Sequence, residues 1–247
     1  MRYLMLKIAY DGTNYHGFQR QNNALAVQEL VEEALNKILK ETINLAASGR
    51  TDTGVHALGQ VVSFATNAKI PTDRIVFAMR SFLPKDIIVY EAKDVDSSFN
   101  ARFSALDKTY RYKIRLSSVE SPFCRNYAWQ MNKTLDLKAM QKASNLLLGK
   151  HDFSAFRTLG STPVSPLKTM YQAKWLDKGD GKLEFVINGD GFLYHMVRNI
   201  VGCLVRVGEN KISVDNFKDI LESKNRAKAG AMAPACGLYL EKVNYKK

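Results

Sequence analysis

Between Arg2 and Ala92 the chain changes its apolar spacing repeatedly, and this restricts its fold more than any other feature. Arg2 to Tyr10 reads as a strand that stops at the turn pair Asp11-Gly12. Val27, Leu30, Val31, Ala34, Leu35 and Ile38 then recur at the spacing of one helical face, with Gln28, Glu29, Glu32, Glu33 and Lys37 filling the other side. Gln60 to Thr66 reads as a strand. Asp73 to Leu83 reads as a helix that Thr72 is placed to cap and Pro84 to stop, and Ile87 to Ala92 as a third strand. Strand, helix, strand, helix, strand leaves few ways to bury the apolar faces other than helices packed on a sheet.

The second half mixes the same elements. Thr109 to Leu116 alternates like a strand. Leu137 to Leu148 is a predicted helix with Asp136 at its N-cap and Gly149 after its end. Tyr171 to Leu176 and Lys182 to Asn188 flank Asp180-Gly181, a hairpin signal. Tyr194 to Val207 is helical, with Met196, Val197, Ile200, Val201, Leu204 and Val205 on its buried side. Ser213 caps a shorter helix through Leu221, and Gly237 to Tyr245 makes the last strand. The expected class is α+β. A boundary near Ala105 divides the chain into residues 1–105 and 106–247, with no repeat or low-complexity tract in either.

Charge narrows the partners. The chain carries 36 Lys and Arg against 24 Asp and Glu, a net +12. That excess attracts a polyanion without choosing among RNA, DNA and an acidic membrane. Cys124, Cys203 and Cys236 are odd in number and far apart, so neither a CxxC zinc site nor a disulfide framework is supported, and a reducing cytoplasm is expected. The first residues are too short and too charged for a secretory signal, and no apolar run is long enough for a membrane span.

Three segments carry candidate chemistry. Residues 48–56, Ser-Gly-Arg-Thr-Asp-Thr-Gly-Val-His, place Arg50, Asp52 and His56 around two glycines, where a loop can meet a ligand closely. The same spacing fits a polar surface turn in which Asp52 caps local amides. In Lys108 to Arg115, alternation puts Arg111, Lys113 and Arg115 on one strand face and Tyr110, Tyr112 and Ile114 on the other. Cations beside rings suit RNA, since the cations hold phosphate while rings stack on bases. Composition alone makes Tyr112 a core residue. Arg198 stands in an apolar run, which invites a carboxylate partner or a side chain that reaches past its neighbours to water.

YDGTNYHGFQRQ, GRTDTGVHA, KTYRY, HDFSAF, FLYHMVRNIVG and APACGLYL follow in that order from Ala9 to Leu240. Together they resemble the TruA-type tRNA pseudouridine synthases. The family pattern usually has Trp where Phe18 stands, and often a small pair such as Gly-Ala where this chain has Ala47-Ser48; neither departure touches a reactive group. The resemblance implies an α+β fold of two RNA-recognition or ferredoxin-like halves, with mainly antiparallel sheets joined around a central basic active-site cleft. It implies Asp52 as catalytic carboxylate, Arg198 as its paired cation, Tyr110 against the target base, Arg50 in flipping and holding the nucleotide, and Leu240 lining the uracil pocket. It further implies a homodimer with each tRNA spanning both subunits, no cofactor, no metal, and uridines 38, 39 and 40 of the anticodon arm as substrates. The reaction breaks the bond from N1 to the ribose and makes one from C5, on a base taken out of its stack. Addition of Asp52 at C6, attack at C1′ and a glycal route all use the same residue. A catalytically inert RNA-binding module would share the charge and the tyrosines, but needs no carboxylate facing RNA. A zinc nucleobase deaminase would need HxE and PCxxC segments, and none of His16, His56, His151 and His195 has them.

Overall fold

The computed structural model describes residues 1–158, 160 and 165–246. In chain order these form β1 (Arg2–Tyr10), α1 (Val27–Leu39), β2 (Ala46–Ala47), β3 (His56–Thr66), α2 (Thr72–Phe82), β4 (Ile87–Val95) and β5 (Ala105–Leu116). There follow β6 (Trp129–Met131), α3 (Leu137–Asn145), β7 (Gly149–Asp152), β8 (Leu167–Asp177), β9 (Lys182–Gly189), α4 (Met196–Gly208), α5 (Val214–Glu222) and β10 (Leu238–Tyr245). The chain divides into two compact units, one of residues 1–106 with 239–247, the other of residues 107–238. A division by chain position alone leaves the last strand with the second half, whereas by contact it belongs with the first.

The first unit orders its strands β4-β1-β3-β10, with β2 beside the far part of β3. All pairings are antiparallel except β10 with β3, which is parallel through Tyr239 opposite His56 and Leu240 opposite Ala57. Leu4, Leu6 and Ile8 of β1 and Ile75 and Met79 of α2 are fully buried, as are Val27, Val31 and Leu35 of α1. One residue on the expected polar side of α1 is also inside. Glu32 is buried because its carboxylate accepts from the Gln28 side chain at 2.8 Å and from the Leu45 amide at 3.2 Å, and pairs with Arg20 at 3.2 Å.

Pro84 acts as expected, forcing Leu83 into extended backbone and ending α2 at Phe82. Thr72 does not cap that helix. Its hydroxyl is taken by Asp94 and Arg2, and Pro71 occupies the N-cap position.

The second unit runs β5-β9-β8-β7, all antiparallel, with β6 parallel along β5. Asp136 accepts the Ala139 amide at the start of α3, and Ser213 forms a reciprocal capping box with Asn216 at α5. The apolar stripe of α4 is buried as its period requires, but the helix starts at Met196, because His195 adopts left-handed backbone at φ 61. Both units are α+β with mainly antiparallel sheets.

Candidate active site

Residues 48–55 form a tight loop between β2 and β3, and buried hydrogen bonds fix both of its ends. Ser48 and Gln60 are fully buried. The Ser48 hydroxyl donates to Gln60 Oε1 at 2.6 Å, and Gln60 Nε2 donates to the Gly49 carbonyl at 2.9 Å. The Ser48 amide reaches the Val61 carbonyl at 2.8 Å. One glutamine side chain thus spans the loop's mouth. Within it, the Val55 amide donates to the Asp52 carbonyl at 3.1 Å and closes a turn with Asp52 at its first position.

The segment 11–18 lies under this loop. The Phe18 amide donates to the Thr51 carbonyl at 3.2 Å, and the Gly54 amide to the Tyr15 carbonyl at 3.2 Å. The Tyr10 and Thr51 hydroxyls meet at 2.8 Å. Burial pushes the Tyr10 phenol far above its ordinary range, outweighing the Thr51 bond that lowers it, so the phenol stays protonated. Gly17 has φ +84, and a Cβ there would stand 2.4 Å from the Thr51 carbonyl oxygen. Its own carbonyl and that of Phe18 accept from Val27 and Gln28 at the start of α1, so the brace is tied to a helix. Tyr15 donates to Asp86 at 2.6 Å, which ties it also to the start of β4.

His56 ends the loop as a buried residue. The Gly12 amide donates to its Nδ1 at 3.0 Å, Asp11 Oδ1 lies 3.1 Å from the same atom, and its ring stacks on Tyr239 at 4.7 Å. A neutral ring accepts from Gly12; a protonated ring donates to Asp11. Asp52 is half-buried and Arg50, on the same loop, is exposed. Leu240 is fully buried on β10, opposite the residue that follows His56.

Tyr110 and Arg198 belong to the second unit. Tyr110 shares the buried face of β5 with Tyr112 and Ile114, and its ring meets the edge of Phe192 at 4.9 Å. Arg198, in the first turn of α4, donates from Nε to the Ala233 carbonyl at 2.9 Å. On the other face of β5, Arg111 is ion-paired with Glu184 and Arg115 donates to the Asp180 carbonyl, while Lys113 is half-buried between them. Among the described residues no group of three or more His, Cys, Asp or Glu could hold a metal ion. None of the described helices is long and apolar enough to cross a membrane.

Residues 7–104 and 143–246 match the sequence model of a family described as tRNA pseudouridine synthase. The chain belongs to that family. Proteins called tRNA pseudouridine synthase A from Thermoanaerobacter sp. strain X514 and Thermoanaerobacter pseudethanolicus are each 48% identical over 245 residues, covering 99% of this chain and 100% of theirs. One from Acetivibrio thermocellus is 46% identical over the same length and coverage. As a pseudouridine synthase the chain is an isomerase acting on tRNA.

For a pseudouridine synthase, the braces of the Asp52 loop were the part hidden from sequence reasoning. Tyr10, Tyr15, Phe18 and Gln60 hold the loop through hydrogen bonds to Thr51, Gly54 and the Ser48-Gly49 pair, and Gly17 leaves the space that lets its neighbour approach Thr51. One signal was available: Gln60 is a long polar side chain next to the apolar pair Val61-Val62 in β3, and a buried amide there needs partners.

Proposed function

We propose that this chain converts uridine to pseudouridine at positions 38, 39 and 40 of the tRNA anticodon arm, with Asp52 as the carboxylate that touches the reacting nucleoside. The supporting observation is the bracing of its loop. Ser48, Gln60, Thr51 and Gly54 are all held by hydrogen bonds, and the half-buried carboxylate-bearing residue between them is on a fixed turn. A group that must act while a base detaches, rotates and reattaches gains most from being placed beforehand.

Arg198 serves as the cation that the resemblance pairs with Asp52, Tyr110 as the ring against the uracil, Arg50 as the residue that helps flip and hold the nucleotide, and Leu240 as an apolar wall of the base pocket. Arg111, Lys113 and Arg115 add positive charge for the phosphate backbone, with Arg111 and Arg115 also serving structural bonds. The active form is a cytoplasmic homodimer that presents both subunits to one tRNA. Its two functional parts are residues 1–105, carrying the Asp52 loop, and 106–247, carrying Tyr110 and Arg198.

The test is Asp52→Asn with tRNA tritiated at uridine C5, whose tritium is released when C5 joins the ribose. The expected result is loss of release with tRNA affinity retained, because removing one anion does not weaken attraction to a polyanion. Substantial residual release would remove Asp52 from the chemistry.

A further inference from the structure

The direction of the Arg198 guanidinium is set by a segment with no titratable oxygen or nitrogen of its own, residues 231–237, Ala-Met-Ala-Pro-Ala-Cys-Gly. The bond between this segment and α4 runs both ways. Arg198 Nε donates to the Ala233 carbonyl at 2.9 Å, and the Ala233 amide donates to the Arg198 carbonyl at 3.1 Å. With Nε on that oxygen, the Ala233 carbonyl is one anchor of the guanidinium plane.

Two further contacts fix that carbonyl. Gly202 lies one turn after Arg198, and a Cβ there would stand 2.1 Å from the Ala231 oxygen, so the backbone seats directly on the helix. On the other side of Ala233, the Tyr112 hydroxyl donates to the Pro234 carbonyl at 2.7 Å. Tyr112 is fully buried, and burial pushes its phenol well above the ordinary value, which keeps the donor proton in place. The segment's entrance is held as well: Arg226 donates to the Gly230 carbonyl at 2.8 Å and to Asn199 Oδ1 at 2.7 Å.

A buried tyrosine on a strand is ordinarily present for its ring. Here the ring fills the core of β5, but the hydroxyl has a separate employment that phenylalanine could not take over. We propose that Tyr112 is a positioning residue for the isomerisation: its hydroxyl fixes the Pro234 peptide, hence the Ala233 carbonyl beside it, and through Nε the direction in which Arg198 presents its two terminal nitrogens. This rests on the reading of Arg198 as the cation that serves Asp52.

The experiment is a double-mutant cycle of Tyr112→Phe and Arg198→Lys, read by single-turnover tritium release at saturating tRNA, with tRNA affinity and thermal melting measured on each protein. Lysine keeps the charge but carries all its donors on one rotating nitrogen, so a bond to the Ala233 carbonyl would not aim a second pair of donors as it does for the planar guanidinium. Tyr112→Phe is expected to slow release about tenfold in the wild-type background, as a displacement of a fraction of an ångström at a catalytic group does. Its tRNA affinity stays unchanged and the protein stays folded at the assay temperature. In the Arg198→Lys background the same change is expected to have no further effect. An unchanged rate for Tyr112→Phe, or the same factor lost in both backgrounds, would overturn the proposal while leaving the Arg198 reading intact. Full activity of Arg198→Lys would instead overturn the Arg198 reading, and the proposal with it.

Discussion

Replacing Gly17 by alanine separates the stability of the Asp52 loop's brace from its accuracy. The added Cβ would lie 2.4 Å from the Thr51 carbonyl oxygen. A carbon and a carbonyl oxygen approach to about 3.3 Å without strain, so Thr51 must retreat by about 0.9 Å or the Gly17 backbone must move by as much. Thr51 precedes Asp52 directly, and its carbonyl accepts the Phe18 amide. A shift of about 1 Å at a catalytic group costs about 100-fold in rate. The left-handed backbone adds about 1–2 kcal/mol of folding cost, a fall of roughly 2–8 °C in Tm for a chain of this size. Gly179 provides the control, since its φ is +76 and a Cβ there meets nothing within 4 Å. Gly179→Ala should therefore lose only the part of the stability that comes from the left-handed backbone, with kcat unchanged. Tritium release at saturating tRNA, filter binding and thermal melting on both variants make the comparison. A kcat for Gly17→Ala within threefold of wild type, or equal kcat losses in the two variants, would refute the idea that this contact sets the loop's position.

Two other outcomes follow from charge. Glu91 is held below the ordinary carboxylate range by its bond to Lys7 at 2.6 Å and then by Lys93, so its contribution to stability is present at neutral pH and is lost as pH falls through that lowered pKa. The Tm difference between wild type and Glu91→Gln should accordingly be largest near pH 7 and shrink toward pH 3; a constant difference would refute the assignment. With a net +12, affinity should fall steeply with salt; if a dimer reads one tRNA, as proposed above, an interface-disrupted monomer should bind more weakly with a shallower slope, whereas equal affinity and slope would show that each subunit reads RNA alone.

What could be read from the sequence was what is decided locally. Asp136, Ser213 and Asp180-Gly181 act within a few residues of themselves, and cap or turn as their chemistry dictates. The face of α4 follows from its period alone. Thr72 misled because Arg2 and Asp94, distant in the chain, claim its hydroxyl; Glu32 misled because Gln28, Arg20 and the Leu45 amide make an interior place for a carboxylate. In the candidate site the reactive types were visible as a cluster, but the Tyr10–Thr51 bond and the Gly17 contact join residues that only the β1–β3 pairing brings together. The alternation of β5 sorted its side chains correctly, yet could not reveal that Arg111 would meet Glu184 on β9.

The parallel pairing of β10 with β3 also has a consequence for biosynthesis. His56, at the end of the Asp52 loop, stacks on Tyr239, which is synthesised roughly 180 residues later; at about 5–20 residues per second that is a delay of roughly 10–40 s. During this interval β1, β3 and β4 can pair, but the β10 side of β3 lacks its strand and His56 lacks its aromatic neighbour. The nascent chain therefore carries every residue of the Asp52 loop long before it holds the complete sheet that supports it. Contacts so distant in sequence are the slow ones to form. The setting of the loop is thus incomplete until β10 has been made, and a chain truncated before Tyr239 retains the Asp52 loop without the strand that flanks its end.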